Sequence, residues 1–279
     1  MALALLSLTA GCDQPDPAQS VHSPAPRSPH SVLQPKIEPP RCPPQMARVD
    51  AFCIDRYEAH LVYHREPTRP HAPYDRPRQT EQYRARSARG VVPQAYISRV
   101  EAEQACRHAG KRLCRAAEWH RACGGSKRWV YPYGNDPEPD RCNTHKRHVL
   151  PKIFGRRTVL TYDHHYNNPW VNQEPGFLAK TAEYRGCVND YGVFDMVGNL
   201  HEWVADEVSA SLARRIPIAY GSHLLGARGK AVFMGGYFSS RGEHGAGCMY
   251  VTTNHSPDYH DYSIGFRCCA EPKPATGPR

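Results

Sequence analysis

The stretch Thr252–Tyr262 reads Thr-Thr-Asn-His-Ser-Pro-Asp-Tyr-His-Asp-Tyr, placing two histidines and two aspartates in one short segment. Two imidazoles and one carboxylate are the donor set of a non-haem iron facial triad, whose open positions support redox chemistry. His255, His260 and Asp261 are therefore the first candidates for a transition metal, iron or copper, with His201 as a further ligand. The plainer alternative is a loop whose histidines are held by hydrogen bonds to nearby tyrosines and aspartates, since 16 histidines are scattered along the chain. A second group is Asp195 and Glu202, seven residues apart across a turn containing Gly198. Its plainer reading is a carboxylate pair that caps the turn by accepting from backbone amides.

Short elements must position these groups. Ser98-Arg99-Val100-Glu101 is a capping box, in which Ser98 accepts from the third helical amide and Glu101 reaches back. The helix it opens is predicted to run to about Ala109, with Gly110 as its stop signal. Val100, Ala105, Cys106 and Ala109 are expected on its core face. A second short helix is predicted over Ala116–Ala122, closed by Gly124-Gly125, and a strand over Asp50–Tyr57. Residues 65–89 carry seven arginines with proline and glutamine and no periodicity, which predicts a long loop. Those arginines are either a solvated insertion or a surface for an anionic partner such as lipid headgroups or acidic glycans.

The chain has 279 residues and a formal charge of 36 − 27 = +9, with 40% hydrophobic residues. Its length suits one large domain or two small ones. No internal run approaches the roughly 18 apolar residues of a membrane-spanning helix, which excludes a polytopic protein. The aromatics, 21 glycines and 26 prolines point to a loop-rich globular core. Eleven cysteines without a single CxxC favour disulfides and an oxidising compartment over metal ligation in a reducing one. No nucleic-acid-binding motif occurs, and nucleic acid is not expected as a partner.

Ala2–Ala10 has the length of a signal-peptide apolar region, and Leu8-Thr9-Ala10-Gly11-Cys12 resembles a bacterial lipobox. The expectation is a signal peptide over residues 1–11 and lipidation of Cys12, which leaves an even ten cysteines. Acyl chains at roughly 0.8 kcal/mol per buried CH₂ would hold the protein on the periplasmic face of a membrane or on the cell surface. An ordinary secretory cleavage near Ala10 is the alternative. Residues 12–41 form a Pro-rich linker too poor in apolar residues to fold. The globular part spans 42–270, and 271–279 is a polar tail.

Five segments together resemble one family. They are Phe52-Cys53-Ile54-Asp55-Arg56-Tyr57-Glu58; Ala109-Gly110-Lys111-Arg112-Leu113 with Glu118-Trp119; Tyr131-Pro132-Tyr133-Gly134-Asn135; Tyr191 through Asn199 with Glu202-Trp203; and Gly235-Gly236 followed by Gly265-Phe266-Arg267. In this order, over roughly residues 45–270, they resemble the sulfatase-modifying-factor, or formylglycine-generating-enzyme, domain. The resemblance implies an α+β fold, a variant of the C-type-lectin fold with little regular structure. It implies disulfides Cys106–Cys268 and Cys123–Cys248, each closing a loop worth on the order of 4–5 kcal/mol if unstrained. Among the other six, Cys42 with Cys53, Cys114 with Cys269 and Cys142 with Cys187 is one arrangement of several. It further implies calcium, held by the side chains of Asp195 and Glu202 and the carbonyls of Gly198 and Leu200, oxygen donors that suit a hard cation. A second calcium site would begin at Asn143 and Thr144, but its downstream pattern is missing.

The family's oxidases bind copper through two free cysteines after Gly-Gly, thiolates being the soft ligands Cu(I) selects. Ser240 and Gly245 fall near those positions here; Tyr237 stands for the family's serine and His201 for its tryptophan. Two functions follow. One is an exported, lipid-anchored module that binds a peptide, protein or glycan of the cell envelope. The other is a divergent metal-dependent oxidoreductase using histidine ligands.

Overall fold

The computed structural model describes residues 41–215 and 229–274, with side chains to Leu212 in the first of these spans. The signal-peptide, Cys12 and most of the linker expectations lie outside the described residues.

The strands and helices, in chain order, are β1 (Met46–Val49), β2 (Phe52–Asp55), β3 (Ala59–Tyr63), β4 (Tyr83–Ser87), α1 (Arg99–His108), β5 (Arg112–Leu113), α2 (Ala116–Cys123), α3 (Val149–Phe154), β6 (His201–Glu207), α4 (Ala210–Arg215), β7 (Ala231–Met234), β8 (Val251–His255), β9 (Ile264–Phe266) and β10 (Cys268–Ala270). This is a mixed α+β fold whose longest described helix has ten residues and longest described strand seven. Among the described residues no helix is long and apolar enough to cross a membrane.

Three sheets organise the chain. One has the order β1-β2-β10-β5, one is the β3–β4 hairpin, and one has the order β8-β7-β6-β9. In the last, β6 runs parallel to β9, pairing His201 with Ile264 and Glu202 with Gly265, and antiparallel to β7. These pairings bring Glu202 and Arg267, 65 residues apart, to the centre of the fold.

The capping box forms as the sequence requires: Glu101 donates its amide to Ser98 Oγ, and the Ser98 amide donates to Glu101 Oε2 at 2.8 Å. Val100, expected in the core, is 42% exposed; the buried face is Ala102, Ala105 and Cys106, and the helix packs on β4, β5 and β6. The loop expected over 65–89 contains β4, in register with β3 from Ala59↔Ser87 to Tyr63↔Tyr83. Its period of two was masked because Arg84 and Arg86 point outward while Tyr83, Ala85 and Ser87 turn inward.

All ten described cysteines are paired: Cys42–Cys53, Cys106–Cys268, Cys114–Cys269, Cys123–Cys248 and Cys142–Cys187. Successive side chains of a strand leave on opposite faces. Cys268 and Cys269, neighbours in β10, therefore enter two different core clusters, one containing Cys106 and the other Cys114.

Candidate functional site

The turn between Asp195 and β6 sits against β2 and the 143–146 segment. Gly198 has φ +81°, and a Cβ there would overlap the Asn143 carbonyl oxygen, so only glycine allows the close approach. Asn199, also left-handed at φ +60°, fastens the turn. Its Nδ2 donates to Glu58 Oε2 at 2.6 Å, and its Oδ1 accepts from Asn143 Nδ2 and the Ala179 amide.

Four charged side chains converge behind this turn. Arg267, fully buried, donates from Nε and one terminal nitrogen to the two oxygens of Glu202, both at 2.6 Å, and also to the carbonyls of Asp55 and Phe194. Trp119 Nε1 donates to Glu202 Oε2 at 2.7 Å. Asp195 Oδ2 accepts from the Ala182 amide at 2.7 Å, and Glu58 Oε1 accepts from the Leu200 amide at 3.2 Å.

Burial, reinforced by Asp195 and Glu202, pushes the Glu58 carboxyl well above its usual range. Burial pushes Asp195 up to about 7. For Arg267, burial opposes the charge, but Glu202 outweighs it and the net shift is upward.

The calcium expected at Asp195, Gly198, Leu200 and Glu202 is thereby corrected. Among the described residues no group of three or more His, Cys, Asp or Glu side chains could hold a metal ion. The physical reason is that the Arg267 guanidinium supplies the positive charge and occupies both oxygens of Glu202. Sequence reading named Asp195 and Glu202 but gave no role to Glu58, Asn199 or Arg267, although all five belong to the motifs quoted above.

The transition-metal expectation is corrected in the same way. His255 stacks on Tyr259 at 4.0 Å and on Phe233 at 5.4 Å between ring centroids. His201 packs on Phe233 at 4.7 Å and on Tyr237 and Tyr250, so the Phe233 ring contacts both imidazoles and fills the space in which a shared ligand would bind. His260 donates from Nδ1 to Asn167 Oδ1 at 2.6 Å. Asp261 accepts from the Ser263 amide, the Ser263 hydroxyl and the Tyr259 hydroxyl. These residues are brought into one region but into separate environments, and they do not fit iron or copper.

His201 has a buried Nδ1 with no partner among the described residues, and burial pushes its ring down to about 3. The signs of its effect and that of Asp195 on stability are opposite. Asp195, raised in the folded state, favours folding at low pH, and that contribution is lost as pH rises from about 4 to about 7. His201, lowered in the folded state, contributes stability above about pH 6.5 that is lost as pH falls toward 3. Asp195→Asn is therefore expected to flatten the decline toward neutral pH. His201→Phe, whose ring fits the same aromatic box, is expected to remove roughly 3 kcal/mol of the acid loss between pH 6.5 and 4. Urea midpoints from pH 4 to 8 check both; parallel pH profiles for all three proteins would contradict them.

Tyr250, which packs on His201, also lines a cleft of about 260 Å³ with Tyr131, Tyr133, Thr144, Ser240 and Gly242 among others. Tyr131 and Tyr133 stack at 5.5 Å, and Arg141 lies over Tyr133. Ser240 Oγ accepts from the Tyr237 amide, and the Tyr250 hydroxyl donates to Glu243. Cys248, also in this region, is bonded to Cys123. No described cysteine is a free thiol, so these residues do not fit a thiolate-held copper either.

Residues 30–272 match the sulfatase-modifying factor enzyme 1-like domain family. The chain belongs to that family. Its relatives include both an enzyme and a protein named as inactive. The formylglycine-generating enzyme of Bos taurus is 27% identical over 199 residues, 66% of this chain and 46% of that protein. The inactive C-alpha-formylglycine-generating enzyme 2 of Bos taurus is 30% identical over 181 residues, 64% of this chain and 50% of that protein. The chain thus spans about half the length of these two relatives. Among solved structures, PvdO from Pseudomonas aeruginosa is similar with a TM-score of 0.43 and 16% identity, over 79% of this chain and 80% of that one. This chain carries the Asp195–Glu202 turn, and among the described residues no free thiol lines its cleft.

Proposed function

We propose that this chain is an exported, lipid-anchored binding module of C-type-lectin-like organisation that takes an extended peptide segment in the Tyr131–Tyr250 cleft. The observation that carries this reading is the cleft itself, lined by the stacked Tyr131 and Tyr133 together with Ser240, Gly242 and Tyr250. Gly242 is open, since a Cβ there would meet nothing nearer than the Gly245 oxygen at 3.9 Å, whereas Gly245 and Gly247 pack against the backbone of Met249 and Val130. Such a surface suits a ring or proline of an extended chain laid on the stacked tyrosines. Five disulfides support folding in an oxidising compartment. Membership in a family that includes a protein named as inactive supports binding without turnover.

A displayed random-peptide library selected on the full chain tests the reading. Enriched peptides are expected to bind the Tyr131→Ala, Tyr133→Ala double variant at least about tenfold more weakly, the usual effect of losing an aromatic anchor. Both rings pack on the core, so the variant is expected to be less stable than the parent, and binding is compared at a temperature where both stay folded. Peptides indifferent to both substitutions, or selective binding to a glycan array with no peptide enriched, would overturn it.

A further inference from the structure

The arginine-rich stretch has a structural order that the cleft does not use. Of its seven arginines, Arg69 pairs with Glu66 and lies over Tyr63, Arg76 pairs with Glu101, and Arg89 lies over Phe194. Arg84 and Arg86 instead stand on the outer face of the β3–β4 hairpin, where Arg86 is directly opposite His60 and Arg84 opposite Val62. Directly opposed residues of an antiparallel pair are about 5 Å apart and diagonal ones about 7–8 Å, so Arg84 lies between His60 and His64. The His64 ring packs on His108 at 4.6 Å, and His108 Nδ1 is already committed to the Tyr83 carbonyl.

This face carries cations and unpartnered ring nitrogens. The Nδ1 atoms of His60 and His64 and the Nε of Arg84 are all buried without a hydrogen-bond partner among the described residues. Nor do Arg84 and Arg86 make an ion pair there. Asp55 is committed to Lys111, Glu66 to Arg69, and Glu101 to Arg76 and Ser98. Burial, and after it the charges of His108, Arg84 and Arg65, hold the His64 ring below the usual imidazole range; burial followed by Arg86 does the same to His60. Two arginines and two imidazoles with unpartnered buried nitrogens on one face are what an anion would satisfy, each ring taking up a proton to donate, and a guanidinium pair flanked by imidazoles matches the several oxygens of a tetrahedral phosphate.

We infer that the outer face of the β3–β4 hairpin, built from His60, His64, Arg84 and Arg86, is a binding site for a phosphate group. That group belongs either to an anionic lipid headgroup or to a soluble phosphorylated ligand. The site is separate from the cleft and does not depend on what the cleft binds.

Inorganic phosphate, titrated against the full chain at constant ionic strength with chloride as the control, is the first probe. Proton NMR of the histidine rings should show the His60 and His64 titrations moving upward by at least half a pH unit in saturating phosphate. Half-saturation should rise at least tenfold in the Arg84→Gln, Arg86→Gln variant. An Arg156→Gln, Arg157→Gln variant, with the same change in net charge elsewhere on the surface, should behave as the parent. Arg86→Gln alone, at an exposed position, covers the case in which the double variant folds poorly. Sedimentation with phosphatidylglycerol vesicles, against phosphatidylcholine vesicles, then separates the sources. Loss of vesicle binding in the variant indicates a headgroup, and phosphate binding without vesicle binding indicates a soluble ligand. No phosphate-dependent shift, or an equal response in parent and variants, would overturn the inference.

Discussion

Replacing Arg267 by methionine is expected to cost about 3–5 kcal/mol at neutral pH, the usual penalty for removing one partner of a buried ion pair. Arg267 is the cation that meets both oxygens of Glu202, and Glu58 and Asp195 also feel its charge. Without it, Glu202 keeps only the Trp119 indole, and three buried carboxyls face one another. Loss of packing alone would cost the same at every pH. Loss of charge compensation would not, because a protonated carboxyl no longer needs the guanidinium. The gap between parent and variant should therefore narrow on acidification from pH 7 to about 4.5. The double variant Arg267→Met, Glu202→Met should recover part of the loss, since an apolar pair of similar volume can replace a buried ion pair. Urea denaturation of the three proteins at both pH values decides. A pH-independent gap would show that Arg267 acts through shape, and a variant as stable as the parent would remove the charge cluster from the account of the fold.

That cluster also marks how far sequence reasoning reaches. Helix α1 was legible because its signal is local: Ser98 and Glu101 stand three residues apart and each satisfies the other. The sulfur content was legible as a disulfide framework from composition alone, whereas which cysteines pair depends on β10 threading between β2 and β5. Strand β4 was hidden because its solvent-facing residues are arginines inside a stretch rich in them. The family resemblance implied a cation between Asp195 and Glu202, which stand seven residues apart across one turn. The guanidinium that takes the cation's place comes 65 residues after Glu202, just past the end of β9, on a parallel pairing of β6 with β9 that no local pattern announces. The histidines failed for a similar reason. Chain proximity put His255, His260 and Asp261 together, but the alternation of β8 and the rings of Phe233 and Tyr259 give each a separate environment. What spacing conveys is which groups are near in the chain; whether they face one another is decided by elements far away.

Removal of both disulfides at β10 is expected to cost about 6 kcal/mol, yet removal of either alone only about 2.5–3. Cys106–Cys268 spans 162 residues and Cys114–Cys269 spans 155, and a lone crosslink of that length is worth about 5 kcal/mol in chain entropy. The bonds are not independent, however. They run between the same two short stretches, 106–114 and 268–269, so while one is intact the other closes a ring of only about ten residues. With both gone, Cys123–Cys248 still holds the next segments together, and the ring reopened is about 30 residues rather than 155. Against the usual 5–15 kcal/mol of a domain, one loss is tolerable and two approach the whole margin. The double loss also frees α1 from one core cluster and the segment before α2 from the other, because Cys268 and Cys269 serve opposite faces of the sheet. Cys106→Ala with Cys268→Ala, Cys114→Ala with Cys269→Ala, and all four together should be compared by urea denaturation under oxidising conditions. The single-pair variants should remain folded with midpoints lowered by similar amounts, and the fourfold variant should be largely unfolded without denaturant. A single pair costing as much as both would mean that the two bonds stabilise through native packing at one site rather than through nested closure of the unfolded chain.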